Sequence, residues 1–308
     1  AALFFLALRG DWLKLLLPVG VMMVAGAVVS IVWSFQIRAF DRAAHDRMTA
    51  RPSSHATSSI DILITTCGED PAVIRNTIAH ATRVSHAGRV RVFVLDDKGS
   101  TRVRARAEEL GATYIDRENR GWMKKAGNIH NAYGQSDGDF IIILDADFAV
   151  RADFLLHTLA YFDDPSIGIV QTPQFFRVNE ANWVETGAAS QQEQFYRIVQ
   201  RARDRRGGAI CVGTNAVYRR AALDERGGIA LLEHSEDLFT GMKVLDAGYR
   251  VSYLPLVLAA GSAPSTRTPI ESKAVFQRRR FHRAKAHLIL SAMRHRAADL
   301  GDRLTYVK

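Results

Sequence analysis

Apolar and polar positions divide this chain into segments of three distinct lengths. The longest apolar segment, residues 15–35, is interrupted only by Ser30 and Ser34 and carries Pro18 near its start. Much shorter apolar runs follow at residues 60–65, 90–95, 113–115 and 140–144, each of strand length and each bounded by polar residues. Between them the apolar positions take a helical period. Val73, Ile74, Thr77, Ile78 and Ala81 make one face of a helix that Asp70 would cap and Pro71 would open, and residues 100–110 make a second helix. Strands alternating with helices predict a mostly parallel sheet flanked by helices on both faces, an α/β class. The second half is less regular. It predicts strands at 167–171 and 250–254, a strand-like run at 209–212, a helix over 185–203, and a helix over 238–247 that Gly248 stops. Residues 272–293 read as a basic amphipathic helix of the kind that lies along a membrane interface.

At about 1.5 Å per residue, residues 15–35 are long enough to cross a hydrocarbon core of about 30 Å. They are too long for a signal peptide and lack a small-residue cleavage site, so an N-terminal transmembrane helix is predicted. Residues 1–8 read as the end of an earlier helix. The only basic residues between them are Arg9 and Lys14, whereas Arg38, Arg42, Arg47 and Arg51 follow the span. That asymmetry predicts that residue 36 onward is cytoplasmic, hung from an inner (plasma) membrane by a multi-pass protein. The domains expected are a transmembrane region at 1–37, a polar juxtamembrane linker at 38–59, an α/β domain at 60–270, and the interface helix at 271–308.

Hydrophobic residues make up 47% of the 308 positions and charged residues 24%, which suits a globular core joined to membrane. The net charge of +9 is concentrated in Arg201, Arg203, Arg205 and Arg206, and in Arg278, Arg279, Arg280, Arg283 and Lys285. Basic clusters serve nucleic acid, anionic headgroups or phosphorylated substrates. With a membrane segment present and no nucleic-acid motif, the lipid bilayer and a phosphorylated substrate are the expected partners. Two cysteines, Cys67 and Cys211, without a CxxC spacing, argue against a disulfide framework.

Five short motifs carry the candidate chemistry. Asp145-Ala146-Asp147 follows the 140–144 run directly, which aims two carboxylates at the carboxyl edge of the sheet, where open α/β sheets bind ligands. Hard oxygen ligands there suit Mg2+ or Mn2+ bridging to phosphates, and so a nucleotide-sugar. Asp96-Asp97 ends another strand in the same way; a carboxylate there accepts hydrogen bonds from a base or ribose, or merely makes a turn. Lys124-Lys125-Ala126-Gly127-Asn128 opens a helix and offers a lysine to a diphosphate, or only a solvated lysine pair. Ser235-Glu236-Asp237 is either a helix cap with favourable first-turn charge or a general base. Gln277-Arg278-Arg279-Arg280-Phe281 offers an aromatic platform and a phosphate-binding arginine, or the basic face of an interface helix.

In their order and rough spacing these motifs resemble the processive glycosyltransferase family 2, in particular its bacterial cellulose synthase-like branch. Stretches between the motifs share the resemblance: Val170-Gln171-Thr172-Pro173-Gln174-Phe175-Phe176, Gly213-Thr214-Asn215-Ala216-Val217-Tyr218 and Glu236-Asp237-Leu238-Phe239-Thr240-Gly241-Met242. The resemblance implies a GT-A-like fold and an inverting transfer of glucose from UDP-glucose to the growing end of a β-glucan. It implies that Thr66, Glu69, Asp97, Lys125, Asp145 and Arg280 bind the nucleotide-sugar, and that Asp145 and Asp147 hold Mg2+ or Mn2+. It makes Asp237 the base, and gives Glu236, Gln277 and Phe281 to the acceptor. The partners implied are the UDP-sugar, a polysaccharide acceptor, the bilayer and accessory subunits of a synthase, with no nucleic acid. Lys98, Ser235 and Phe281 depart from the family pattern, where glycine, threonine and tryptophan are usual. The family's later membrane helices would follow residue 308, so the chain is expected to be a fragment. A synthase using UDP-N-acetylglucosamine and an inactive nucleotide-sugar-binding membrane module are the alternative expectations.

Overall fold

β1 (Ile60–Thr66) is buried at every position and lies at the heart of the sheet. Its alternate residues serve two cores. Ile60, Ile62 and Ile64 pack with Ile74 and Ile78 of α2 (Pro71–Ala81) and Val103 of α3 (Thr101–Glu109). Leu63 packs on the other face with Ile129 and Ala132 of α4 (Lys124–Tyr133). β4 (Phe140–Asp145) divides in the same way, with Phe140, Ile142 and Leu144 on the first face and Ile141 and Ile143 on the second. A strand covered on both faces has no polar side, which is why these runs are continuously apolar rather than alternating.

The structure is a computed structural model and describes residues 20–22, 24–28, 39–177, 192, 193 and 195–262. The chain divides into two compact units, one of residues 1–177 and 190–261, the other of 178–189 and 262–308. Apart from residue 262, the described residues all belong to the first. Most of the expected transmembrane segment, the interface helix, and Gln277, Arg280 and Phe281 lie outside the described residues. Residues 20–22 and 24–28 are helical, with Val21, Met22, Val24 and Val28 exposed. Among the described residues no helix is long and apolar enough to cross a membrane.

The main sheet has seven strands in the order β3-β2-β1-β4-β8-β6-β9. β2 (Val90–Asp96), β3 (Thr113–Asp116) and β4 run parallel to β1. β8 (Ala216–Arg219) is antiparallel to both β4 and β6 (Ile167–Gln171), and β9 (Arg250–Tyr253) is parallel to β6. The fold class is therefore the expected mixed α/β with a mostly parallel sheet. A second sheet of three strands, β5 (Phe148–Val150), β10 (Ala259–Ser262) and β7 (Phe175–Arg177), lies downstream of the β4 end.

Three local expectations are corrected. Residues 38–59 are not simply a linker: α1 (Arg42–Thr49) forms there, with the Asp41 carboxylate accepting the Ala44 amide at 2.8 Å. The strand-like run at 209–212 is no strand; the strand begins at Ala216, and 210–214 is held by side chains instead. Ser235 does not cap α8 (Glu236–Asp246) with its side chain; it sits in the left-handed region at φ 61. By contrast Asp70 caps α2 as expected, accepting the Ala72 amide at 2.8 Å, with Pro71 in the first turn.

Candidate active site

Parallel register brings the strand-end carboxylates to one edge: Thr66 is level with Asp96, and Thr65 with Asp145. The two aspartates that end β2 then part company. Asp96 is consumed by the fold. Its oxygens accept the Lys98 amide (2.9 Å), the Ser100 amide (2.6 Å) and the Tyr114 hydroxyl (2.9 Å). Asp97 is held but not saturated. Its Oδ1 accepts the Arg117 Nε (2.6 Å) and the Gly121 amide (3.0 Å), while its own amide donates to the Thr66 carbonyl (3.0 Å). No described group donates to its Oδ2. Nearby, Glu69 folds back on its own loop, its Oε2 accepting the Thr66 hydroxyl (2.8 Å) and the Cys67 amide (2.7 Å).

The turn before α4 is strained. Met123 and Lys124 both have positive φ, 51 and 47, at an ordinary cost of roughly 1–3 kcal/mol each. The buried Arg117 guanidinium compensates: Nη1 donates to the Trp122 carbonyl (2.7 Å) and Nη2 to the Lys124 carbonyl (3.2 Å). Gly127 is needed for this contact, since a Cβ there would stand 2.1 Å from the Trp122 carbonyl oxygen and 2.5 Å from Arg117 Nη1. Asn128 ties α4 to β2 through the Leu95 carbonyl (2.8 Å). Neither lysine of the motif is merely solvated. Lys124 meets Glu233 (3.0 Å) and His234 (3.1 Å), and Lys125 reaches into the cleft.

Lys125 Nζ donates to Asp145 Oδ1 (2.5 Å) and to the Gly213 carbonyl (2.8 Å). Burial works against its charge, but the Asp145 carboxylate, with Glu236 and Asp237 beyond it, raises its pKa on balance. The Asp145-Ala146-Asp147 turn is fixed from both sides: the Thr77 hydroxyl donates to the Ala146 carbonyl (2.6 Å), and the Asp145 amide donates to Thr214 Oγ1 (2.9 Å). Burial first, and the Asp145 carboxylate second, push the pKa of Asp147 up. Crowded anions of this kind are a cation site in waiting. Among the described residues no three His, Cys, Asp or Glu side chains cluster as a ready metal cage. Two hard carboxylates without a third suit an ion that takes its remaining ligands from phosphate and water, as Mg2+ and Mn2+ do. The donor set thus fits the expected cation.

Asp237 joins the same cleft through Gly213. Gly213 is left-handed (φ +74), and a Cβ there would lie 2.8 Å from Asp237 Cβ and 3.2 Å from its Oδ2. One small residue therefore accepts Lys125 on its carbonyl and seats Asp237 against its α-carbon. The Gly213 loop is positioned by two buried glutamines. Gln200 brackets Ile210, accepting its amide (2.8 Å) and donating to its carbonyl (2.7 Å). Gln171 accepts the Val212 amide (2.9 Å) and donates to the Thr214 carbonyl (2.8 Å). Asp237 itself accepts the Leu238 amide on Oδ1 (2.7 Å) at the start of α8. Burial, with Asp237 and Asp145 reinforcing it against the nearby Lys125, raises the pKa of Glu236.

Thr66, Glu69, Asp97, Lys125, Asp145 and Asp147 thus gather at the carboxyl edge of the sheet, and Glu236 and Asp237 meet Lys125 there by way of Gly213. Arg117, Gly213, Gln171 and Gln200 are the residues that sequence reasoning passed over as site builders. Gly213 and Gln171 stood within the stretches quoted for the resemblance, but Arg117 had no sequence signal because its partners include two backbone carbonyls.

The mixed sheet and the carboxylate-lined carboxyl edge define a GT-A-like α/β fold. Solved structures agree. The mannosyltransferase PcManGT from Pyrobaculum calidifontis, in complex with GDP-Man and Mn2+, matches with a TM-score of 0.57 at 17% identity, covering 78% of this chain and 69% of that one. S. aureus TarS 1-349 in complex with UDP-GlcNAc matches with a TM-score of 0.51 at 13% identity, covering 79% and 73%. The family model for Glycosyltransferase like family 2 matches residues 58–283, and the chain belongs to that family. Among curated relatives, the cellulose synthase catalytic subunit [UDP-forming] of Xanthomonas axonopodis pv. citri (strain 306) is 33% identical over 257 residues. That of Pseudomonas fluorescens (strain SBW25) is 34% identical over 237 residues. These matches take in 81% and 75% of this chain but 35% and 31% of the relatives, so the chain spans about a third of their length.

Proposed function

We propose that this chain carries the catalytic domain of a membrane-anchored, inverting, metal-dependent glycosyltransferase that moves glucose from UDP-glucose to the growing end of a β-glucan. The single observation that carries the reading is the bridge Asp145–Lys125–Gly213–Asp237, which joins a diphosphate-side carboxylate to a candidate base across one glycine. The open Oδ2 of Asp97 suits a nucleoside N–H or hydroxyl. Lys125 offsets charge on the diphosphate. Asp237 takes the proton of the acceptor hydroxyl as that oxygen bonds to the anomeric carbon; the bond from that carbon to UDP breaks, and UDP leaves with the electron pair. A divalent cation, when bound, supplies Lewis-acid stabilisation of the leaving diphosphate, and Asp145 and Asp147 are the residues to hold it. A single base acting in one displacement favours inversion. The names of the curated relatives support the UDP-forming part of the reading. The apolar residues 15–35, with the arginines that follow, support a cytoplasmic domain anchored to the inner membrane. Gln277, Arg280 and Phe281 complete the acceptor and diphosphate side in this reading.

The test is the full chain in lipid vesicles, given UDP-glucose or UDP-N-acetylglucosamine with Mg2+ or Mn2+, with UDP release and product linkage measured. UDP release and β-linked glucan from UDP-glucose are expected, with loss of release in a chelator. Binding of UDP without release from either sugar makes the domain an inactive module, and release only from UDP-N-acetylglucosamine reassigns the donor.

A further inference from the structure

The turn between β3 and α4 is held at several backbone positions, and it displays one large apolar side chain. Gly121, with φ +79, gives its amide to Asp97 Oδ1 at 3.0 Å. Met123 and Lys124 are left-handed without being glycine. Arg117, buried, holds the carbonyls of Trp122 and Lys124, and Gly127 keeps the space open for them. Yet Trp122 is 46% exposed as a residue, and among the described residues its indole enters none of the ring or cation–π contacts and no side-chain hydrogen bond. A single exposed apolar side chain is ordinary. An exposed indole on a backbone that a buried guanidinium holds in a strained shape is not, because the strain persists only where the surroundings over-determine it, and such sites gather at ligand clamps.

Trp122 follows directly on Gly121, whose amide touches Asp97, and the other oxygen of Asp97 has no described donor. A nucleobase carries two recognition surfaces, a π face and a hydrogen-bonding edge. Indole suits the first and a carboxylate oxygen suits an N–H on the second. We infer that Trp122 is the stacking shelf for the nucleobase of the donor, and that Arg117 is the positioning residue that holds shelf and carboxylate at fixed separation. This deepens the nucleotide-sugar reading of the same site and rests on it.

The test is binding of UDP and of pyrophosphate, each with Mn2+, to the full chain in lipid, by titration calorimetry. Trp122→Ala is expected to weaken UDP by about tenfold, the usual scale of a lost base stack, and to leave pyrophosphate within twofold. Trp122→Phe keeps a ring and is expected to retain most of the UDP affinity. UDP affinity unchanged in Trp122→Ala overturns the shelf while leaving the nucleotide-sugar reading intact. Equal weakening of UDP and pyrophosphate also overturns it, since it marks a collapsed turn. A wild-type chain that binds no UDP sinks the nucleotide-sugar reading itself.

Discussion

Asp61 and Asp97 are both buried, both beside the end of a parallel strand, and both paired with an arginine, yet the proposed reading gives them opposite kinds of chemistry. Asp61 lies at the amino edge. Both its oxygens are taken by the Arg91 fork at 2.9 Å, and Oδ2 also accepts the amides of Asp137 (2.9 Å) and Gly138 (2.7 Å). Gly138 is needed for that approach, because a Cβ would stand 2.9 Å from Asp61 Cγ. At the carboxyl edge, Asp97 and Asp237 each have one oxygen engaged and one open among the described residues, and Asp145 shares a single oxygen with Lys125. On the proposed reading, what separates a structural carboxylate from a functional one here is saturation, not burial or charge pairing. A carboxylate with every lone pair filled can only hold the fold together; one with an oxygen free and its backbone locked can meet a ligand without reorganising.

The largest expected effect tests the open side. Asp237→Asn keeps the shape and removes the proposed base, so UDP release is expected to fall by about 10²–10⁴-fold while UDP affinity stays within twofold. A substantially active variant would break the comparison at its most important residue. The saturated side should respond in stability instead. Asp61→Ala leaves two amides without their acceptor and the Arg91 fork with only the exposed Asp137 carboxylate, and denaturant unfolding is expected to show a loss of about 3 kcal/mol. That is the low end for a broken buried pair, because Arg91 is partly exposed and can reach water. UDP affinity of the folded fraction should not change; a loss of affinity with full stability would mean that the two edges are not separable.

Gly213 sharpens the comparison, since it is the point where the open carboxylates meet. Gly213→Ala sets a methyl 2.8 Å from Asp237 Cβ on a backbone at φ +74, which strains an L-residue whatever the space. Turnover is expected to fall about 10–100-fold, as a displacement of the order of 1 Å at a reacting group does, with stability lowered by about 1–2 kcal/mol. An effect on donor KM with kcat intact would place Gly213 on the donor side only.

How much of this was legible in the sequence follows from the range of the interactions. The strands at 60–66 and 140–145 were legible because burial on both faces leaves a continuous apolar run. The Asp70–Pro71 helix start was legible because a cap is local. The paired aspartates at 96 and 97 were legible as a strand end but not as one structural and one open carboxylate, because that depends on Tyr114, Arg117 and Gly121. Residues 209–212 read as a strand because they are apolar, but only Ala209 bonds a neighbouring strand, its amide donating to the Val251 carbonyl at 3.1 Å, and the amides of Ile210 and Val212 are claimed by Gln200 and Gln171 rather than by a ladder. α1 was missed because its core contact is a histidine, and a polar helix has no apolar face to read.

That histidine gives the smallest effect and a case where a satisfied cluster can be titrated. His45 of α1 shares hydrogen bonds with Tyr161 Oη and His157 Nδ1, both at 3.0 Å, and its ring lies 5.5 Å from that of Phe40. His157 in turn meets Asp153 at 3.3 Å. Burial first, then His157 and Arg42, hold the pKa of His45 below its ordinary value, with Asp46 alone opposing. A group whose folded pKa is depressed contributes stability that is present above its unfolded pKa, near 6.5, and lost as pH falls through the folded value. The docking of α1 is therefore expected to weaken on acidification, by about 1.4 kcal/mol for each unit of depression. Hydrogen exchange of amides 42–50, corrected for intrinsic rates, should report more opening at pH 5 than at pH 7. His45→Phe keeps a ring in place and removes the proton site, so its exchange should lose that pH dependence while giving up the two hydrogen bonds. If His45→Phe opens on acidification as much as the wild type does, the proton is taken up elsewhere, and His157 beside Asp153 becomes the group to replace next.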